Sequence, residues 1–254
     1  MNDLFTIKDK LILVTGSSQG IGRSLAEGYA RAGAKVIING RNQEKIDPVV
    51  AGLRQDGYQA EGRAFDVTNK KAAEQAVDGI EQEIGPIDVL VNNAGIQRRA
   101  PFEQLSLEDW QAVLDTNLTS VFIISQLVAK RMISRRQGKI INITSLNAEA
   151  ARPTIANYCA AKGGLKMFTK SLATELGRYN IQANAIGPGY IETELTQKLA
   201  ADPEFDAWVK NEVPLGRWGK TADLIGAAIF LAAQASDYVN GQTIYVDGGW
   251  RASL

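Results

Sequence analysis

Among its 254 residues the chain has no histidine and one cysteine, Cys159. Each absence removes a class of chemistry. Without histidine there is no Ser-His-Asp or Cys-His system, and the commonest transition-metal ligand is missing. No metal site is expected. A single cysteine excludes an internal disulfide and fits a reducing compartment. Net charge is absent as well: 28 basic and 28 acidic side chains cancel, so no global field draws the protein to nucleic acid or an anionic membrane. No apolar run reaches the length needed to cross a bilayer, and the opening MNDLFTIKDK lacks the apolar stretch of a signal peptide. A cytoplasmic protein is expected, with acid–base work left to Tyr, Lys or carboxylates.

What is present is a regular alternation. Short β-branched runs occupy 11–15, 35–39, 62–67, 88–93, 139–145, 181–186 and 243–247, several of them apolar on successive residues. Such runs suit parallel strands covered on both faces. Between them lie Ala-, Leu- and Glu-rich stretches such as GRSLAEGYARAG, ending in a glycine stop. The pattern predicts a Rossmann-type, doubly wound α/β fold of about seven parallel strands with helices on both faces. With no repeat, low-complexity tract or linker, residues 1–254 are expected to form a single domain.

The first strand runs into TGSSQGIGRSLAEG, with Gly16, Gly20 and Gly22 spaced as GxxxGxG. Glycines there let the backbone turn tightly and approach a pyrophosphate, and the helix that follows offers free N–H groups at its positive end. The setting, after a strand and opening a helix, is the one a dinucleotide site requires. Ser18, Gln19 and Ile21 fall within the turn and are expected to line the cofactor. The second strand ends at Asn39-Gly40-Arg41. An acid at that tip grips the ribose 2′-hydroxyl of NAD, whereas an arginine accommodates the 2′-phosphate of NADP. Gly40 followed by Arg41 favours NADP over NAD. Asp66, with Val67 beside it, can meet the adenine amino group or cap a helix opening near Thr68.

Tyr158-Cys-Ala-Ala-Lys162 places two functional groups on one helix face, with Cβ atoms about 6 Å apart. A free phenol, with a pKa near 10, is a poor base at neutral pH, and a neighbouring ammonium favours phenolate. Lys162 is therefore expected to lower the Tyr158 pKa. Ser145 ends the strand KIINITS, on the side where open α/β sheets bind ligands, and can hold a reacting carbonyl toward Tyr158. Asn117, inside a helical pattern, can interrupt the backbone ladder and orient a water next to Lys162. It can also be an ordinary helix asparagine.

Taken together, TGSSQGIG, NNAG, Asn117, Ser145, YCAAK and NAIGPGYIET resemble the short-chain dehydrogenase/reductase family over nearly the whole chain. The resemblance implies that Tyr158 is the acid–base catalyst, that Lys162 lowers its pKa and holds the ribose, that Ser145 binds the carbonyl or hydroxyl, and that Asn117 supports a proton relay. It also implies that Asn93, Ala94 and Gly95 line the adenosine half of the cofactor. Gly187, Ile191 and Thr193 then sit at the nicotinamide end. Members of the family are usually homotetramers, so a homotetramer is implied as well.

Within that family, IGPIDVLVNNAGIQRRAPF and RWGKTADLIGAAIFLAAQASDYVNGQTIYVDGG are most similar to the gluconate 5-dehydrogenases, as is the opening MNDLF. This implies a small-molecule sugar acid as substrate. Its carboxylate calls for arginine forks. Gln97, Arg98 and Arg99 follow NNAG, and Arg152, Asn147 and Glu149 lie between Ser145 and Tyr158. These are the candidate substrate residues. A 3-oxoacyl-carrier-protein reductase or another sugar-acid or keto-acid reductase stays open as an alternative, as does a non-catalytic NADP-sensing protein. Residues from about 191 to 217 are charged, helical in pattern and broken by proline, which suits a substrate lid.

Overall fold

The computed structural model describes residues 4–194 and 196–253. Its strands are β1 (Leu11–Val14), β2 (Lys35–Gly40), β3 (Ala60–Ala64), β4 (Val89–Asn92), β5 (Gly138–Ile143), β6 (Ile181–Pro188) and β7 (Thr243–Val246). They form one sheet in the order β3-β2-β1-β4-β5-β6-β7, and every paired neighbour is parallel. The helices are α1 (Gly20–Arg31), α2 (Gln43–Gln55), α3 (Lys70–Glu83), α4 (Leu107–Leu114), α5 (Ser120–Arg135), α6 (Ala156–Leu176), α7 (Gln197–Ala200), α8 (Pro203–Glu212) and α9 (Ile225–Ala232).

Two cores explain the unbroken apolar strands. Ile12, Val14, Val36 and Ile38 face Leu25, Tyr29, Ile46 and Ala228 on one side of the sheet. Leu11, Leu13 and Ile37 face Val77, Ile80, Leu127 and Met132 on the other. Successive side chains alternate between faces, so a strand buried on both sides is mostly apolar, and its few polar residues, such as Asn39 and Asn92, are hydrogen-bonded. The apolar helical stretch Leu107–Arg135 has the length and composition of a membrane span, but half of its apolar 18-residue window is buried in this fold. A third, smaller core joins Val209, Val213 and Trp218 to Tyr190, Phe205 and Trp250.

All seven expected strands are present, and one is displaced. The apolar residues Phe65 and Val67 point to a strand over 62–67, yet β3 is Ala60–Ala64 and those two residues are core plugs in the loop beyond it. β3 is an outer strand, paired only with β2. Its half-polar sequence AEGRA reflects that edge position.

The chain winds outward from β1 through β2 to β3, then crosses back to β4. The connections leaving β1 and β4 therefore diverge, and a crevice opens at their carboxyl ends.

Candidate active site

That crevice is a cleft of about 1320 Å³. One half is lined by Gly16, Ser18, Gln19, Gly20, Ile21, Arg41, Asp66, Val67, Asn93, Ala94, Gly95, Ile191 and Thr193. The other half holds Gln97, Arg98, Arg99, Ser145, Asn147, Arg152, Tyr158 and Lys162.

The turn after β1 is built by polar residues buried at strand ends. Gly16 adopts φ 62°, and a Cβ there would lie 2.8 Å from the Ala94 Cα. Asn39 accepts from the Gly16 N–H at 3.1 Å, and its amide donates to Arg63 O and Phe65 O, tying the turn to β2 and β3. Asn93 donates to Thr15 O and Gly16 O, each at 3.0 Å. α1 then opens without a side-chain cap and without an acid in its first turn. Its first N–H groups are therefore suited to an anion, and a nucleotide pyrophosphate fits that end.

Three expected contacts need correction. Gly22 is buried behind the turn, off the cleft; a Cβ there would meet Asn93 Nδ2 at 2.3 Å and Gly16 O at 2.5 Å. Its role is to let α1 pack on Asn93. Gly187 is buried within β6 against the Tyr245 ring, also away from the cleft. Asn117 is fully buried on a π-helical turn, Asp115–Thr119, that joins α4 to α5 and does break the regular ladder. Its carboxamide, however, is spent on Ile96: Oδ1 accepts from the N–H at 2.8 Å and Nδ2 donates to the carbonyl at 2.9 Å. It anchors the NNAG loop rather than orienting a water through its side chain.

Asp66 has a settled partner. Its Oδ1 accepts from the Thr68 N–H at 2.9 Å and hydroxyl at 2.7 Å, while Asn69 caps α3. Two residues without a sequence-based expectation, Asn42 and Lys45, line the cleft next to Arg41. Lys45 lies four residues beyond Arg41, and that spacing was the available signal.

In the other half, Ser145 follows β5 and Tyr158 and Lys162 project from α6. The Ser145 Oγ accepts from the Asn147 N–H at 3.1 Å. Lys162 is 4% exposed, and its Nζ donates to Ile143 O at 2.6 Å. Burial lowers its pKa to about 8. Burial pushes the Tyr158 phenol up from its ordinary value; a hydrogen bond from Ser145 and the positive charge of Arg99 oppose that rise. Lys162, expected to favour the phenolate, donates to a backbone carbonyl with its ammonium 5.7 Å from the centroid of the Tyr158 ring. The chemistry available is a phenol that holds a proton, a hydroxyl aimed at the same place, and a buried ammonium behind them.

The adjacent arginines diverge. Arg98 pairs with Asp109 at 3.7 Å on the exposed surface, and its carbonyl accepts from Asn157. Arg99 donates through Nε to Gln97 Oε1 at 2.9 Å. Its pKa is lowered by burial and then by the positive charge of Arg152, and it interacts electrostatically with Tyr158 and Tyr190. Arg152 lies against the rings of Tyr190, Phe205 and Trp208. Glu149 does not line the cleft: its Oε1 accepts from Lys166 and, at 2.9 Å, from the Tyr245 hydroxyl, so it ties the loop after Ser145 to α6 and β7.

A family model of short chain dehydrogenases matches residues 10–204. The gluconate 5-dehydrogenase of Gluconobacter oxydans is 50% identical over 252 residues, which cover 99% of this chain and 98% of that protein. The 5-keto-D-gluconate 5-reductase of Escherichia coli is 50% identical over 249 residues, 98% of each chain. Among solved structures, the gluconate 5-dehydrogenase of Burkholderia cenocepacia, in complex with NADP and tartrate, matches with a TM-score of 0.97 at 48% identity, covering 99% of both chains. The protein belongs to the short-chain dehydrogenase family.

Proposed function

We propose that the protein is an NADP-dependent oxidoreductase that interconverts D-gluconate and 5-dehydro-D-gluconate, with Tyr158 as acid and base. The observation that carries this reading is a single cleft in which Ser145, Tyr158 and Lys162 stand beside Arg99 and Arg152. Near-full-length relatives of that activity support the substrate, and NADP and a hydroxy diacid in a related structure support the cofactor and an acidic ligand.

The α1 N-terminus and the glycine turn would hold the pyrophosphate, and Arg41 with Lys45 the 2′-phosphate. Asp66 and Val67 would border the adenine, with Asn93, Ala94 and Gly95 alongside, and Ile191 and Thr193 at the nicotinamide end. The bound cofactor supplies the hydride acceptor or donor. In reduction, Ser145 donates a hydrogen bond to the substrate carbonyl oxygen and Tyr158 delivers its proton to that oxygen. In oxidation, the hydroxyl proton returns to Tyr158. Arg99, with Gln97 beside it, meets the carboxylate. Residues 191–217 form a lid that excludes water, with Leu195 outside the described residues. Phe122 on α5 and Met167 on α6 are exposed, on the two helices that follow Asn117 and carry Tyr158. They support association into a homotetramer, and the single cysteine supports a cytoplasmic location.

NADPH consumption is followed with 5-dehydro-D-gluconate and with an acetoacetyl thioester. Turnover of the keto acid is expected. Turnover of the thioester alone would overturn the assignment in favour of an acyl reductase. Tyr158→Phe is expected to abolish turnover while NADP still binds; near-wild-type activity would place the acid–base group elsewhere.

A further inference from the structure

Arg152 occupies an unusual position. It sits in the loop between Ser145 and Tyr158 and borders the cleft. Its guanidinium carbon lies 4.5 Å from the ring centroid of Phe205, 5.6 Å from Trp208 and 5.8 Å from Tyr190. Phe205 and Trp208 belong to α8, whose Asp206 accepts from the Trp218 indole at 2.9 Å. Among the described residues Arg152 pairs with no carboxylate. The charged neighbour it does have is Arg99, of like sign.

A guanidinium is flat, with five N–H donors in its plane. Aromatic rings engage its face and leave its edge for hydrogen bonds. Arg152 lines the cleft, so that edge is available to a ligand there. An anion between Arg99 and Arg152 would relieve their repulsion and hold Arg152 against α8. An uncharged polyol has no differential effect on that arrangement, so it cannot shift it. Resting on the sugar-acid reading, we propose that Arg152 is a specificity-determining residue that ties the negative charge of the substrate to the seating of α8 over the cleft.

Three of the four tryptophans report on this: Trp208, Trp218 and Trp250 all pack around Tyr190. In a Tyr158→Phe background loaded with NADP, gluconate is expected to change tryptophan fluorescence saturably, and sorbitol at equal concentration to leave it unchanged. Adding Arg152→Gln removes the response. With Tyr158 intact, Arg152→Gln raises KM for gluconate about tenfold or more, with kcat within about threefold and KM for NADP unchanged. Arg152→Lys keeps the charge without the flat fork, so it retains part of the preference for acid over polyol. A fluorescence response that survives Arg152→Gln, or wild-type KM for gluconate in both variants, overturns the proposal. Failure of the gluconate reading shows separately, as absent wild-type turnover. In that case glycerate and erythronate are titrated against glycerol and erythritol, and equal responses to acid and alcohol overturn the role of Arg152.

Discussion

Replacing Lys162 with methionine should stabilise the protein while removing its activity. The ammonium is 4% exposed and its hydrogen bond goes to a backbone carbonyl, with no carboxylate partner among the described residues. Burial lowers its pKa from 10.5 to about 8. The unfolded chain binds the proton more tightly than the folded one, so the charge opposes folding. That cost is full below about pH 8 and fades as pH rises toward 10.5. At pH 7 it amounts to roughly 3 kcal/mol, and by pH 9.5 it has fallen to roughly 1 kcal/mol. Methionine has a similar length and no charge; it loses one hydrogen bond, at about 1 kcal/mol. The net gain is about 2 kcal/mol at pH 7, or roughly 4–8 °C in Tm for a chain of this size. Thermal unfolding of the cofactor-free protein at pH 7 and pH 9.5 checks it. A variant that melts at or below the wild type at pH 7, or a gap that widens with pH, would refute the reasoning.

Three substitutions test other parts of the site. Gly22→Ala puts a methyl 2.3 Å from Asn93 Nδ2 and 2.5 Å from Gly16 O; overpacking and the lost Asn93 bonds should cost about 3 kcal/mol and weaken NADP binding, read by thermal melts with and without cofactor. Gly40→Asp places an acid next to Arg41, with its Cβ 3.1 Å from Ser18 Oγ. The ratio of kcat/KM for NADP over NAD should fall by about 100-fold, and an unchanged ratio would remove the 2′-phosphate from that corner. Arg98→Ala removes an exposed pair, so KM for gluconate should stay within about twofold, whereas a tenfold rise would return Arg98 to the substrate.

Most of the fold was legible because local signals and the global architecture agreed. Buried parallel strands are mostly apolar, and six of the seven fell within two residues of their expected bounds. β3 slipped because an edge strand need not be apolar, while the loop beyond it supplies Phe65 and Val67 to the core. The glycine motif marked the turn, but spacing does not distinguish a glycine that faces a ligand from one that clears a neighbour. Gly22 is of the second kind, and the neighbour it clears, Asn93, lies 71 residues away in the chain.

The same limit governs the charged residues. Helical spacing was enough to put Tyr158 and Lys162 on one face of α6, because one regular element carries both. It could not say where the ammonium points; that is set by Ile143 O at the end of β5. Arg98 and Arg99 are adjacent in sequence and divided by distant partners. Asp109 holds one side chain and Asn157 holds its carbonyl, which leaves Arg99 to face Tyr158 and Arg152. Arg152 in turn owes its place to rings on α8. The proposed acid–base residues come from one strand end and one helix, so their chemistry can be read locally. The side chains proposed to recognise substrate charge have directions decided across the whole domain. Altering α8 should therefore change which acids are accepted before it changes whether hydride transfer occurs.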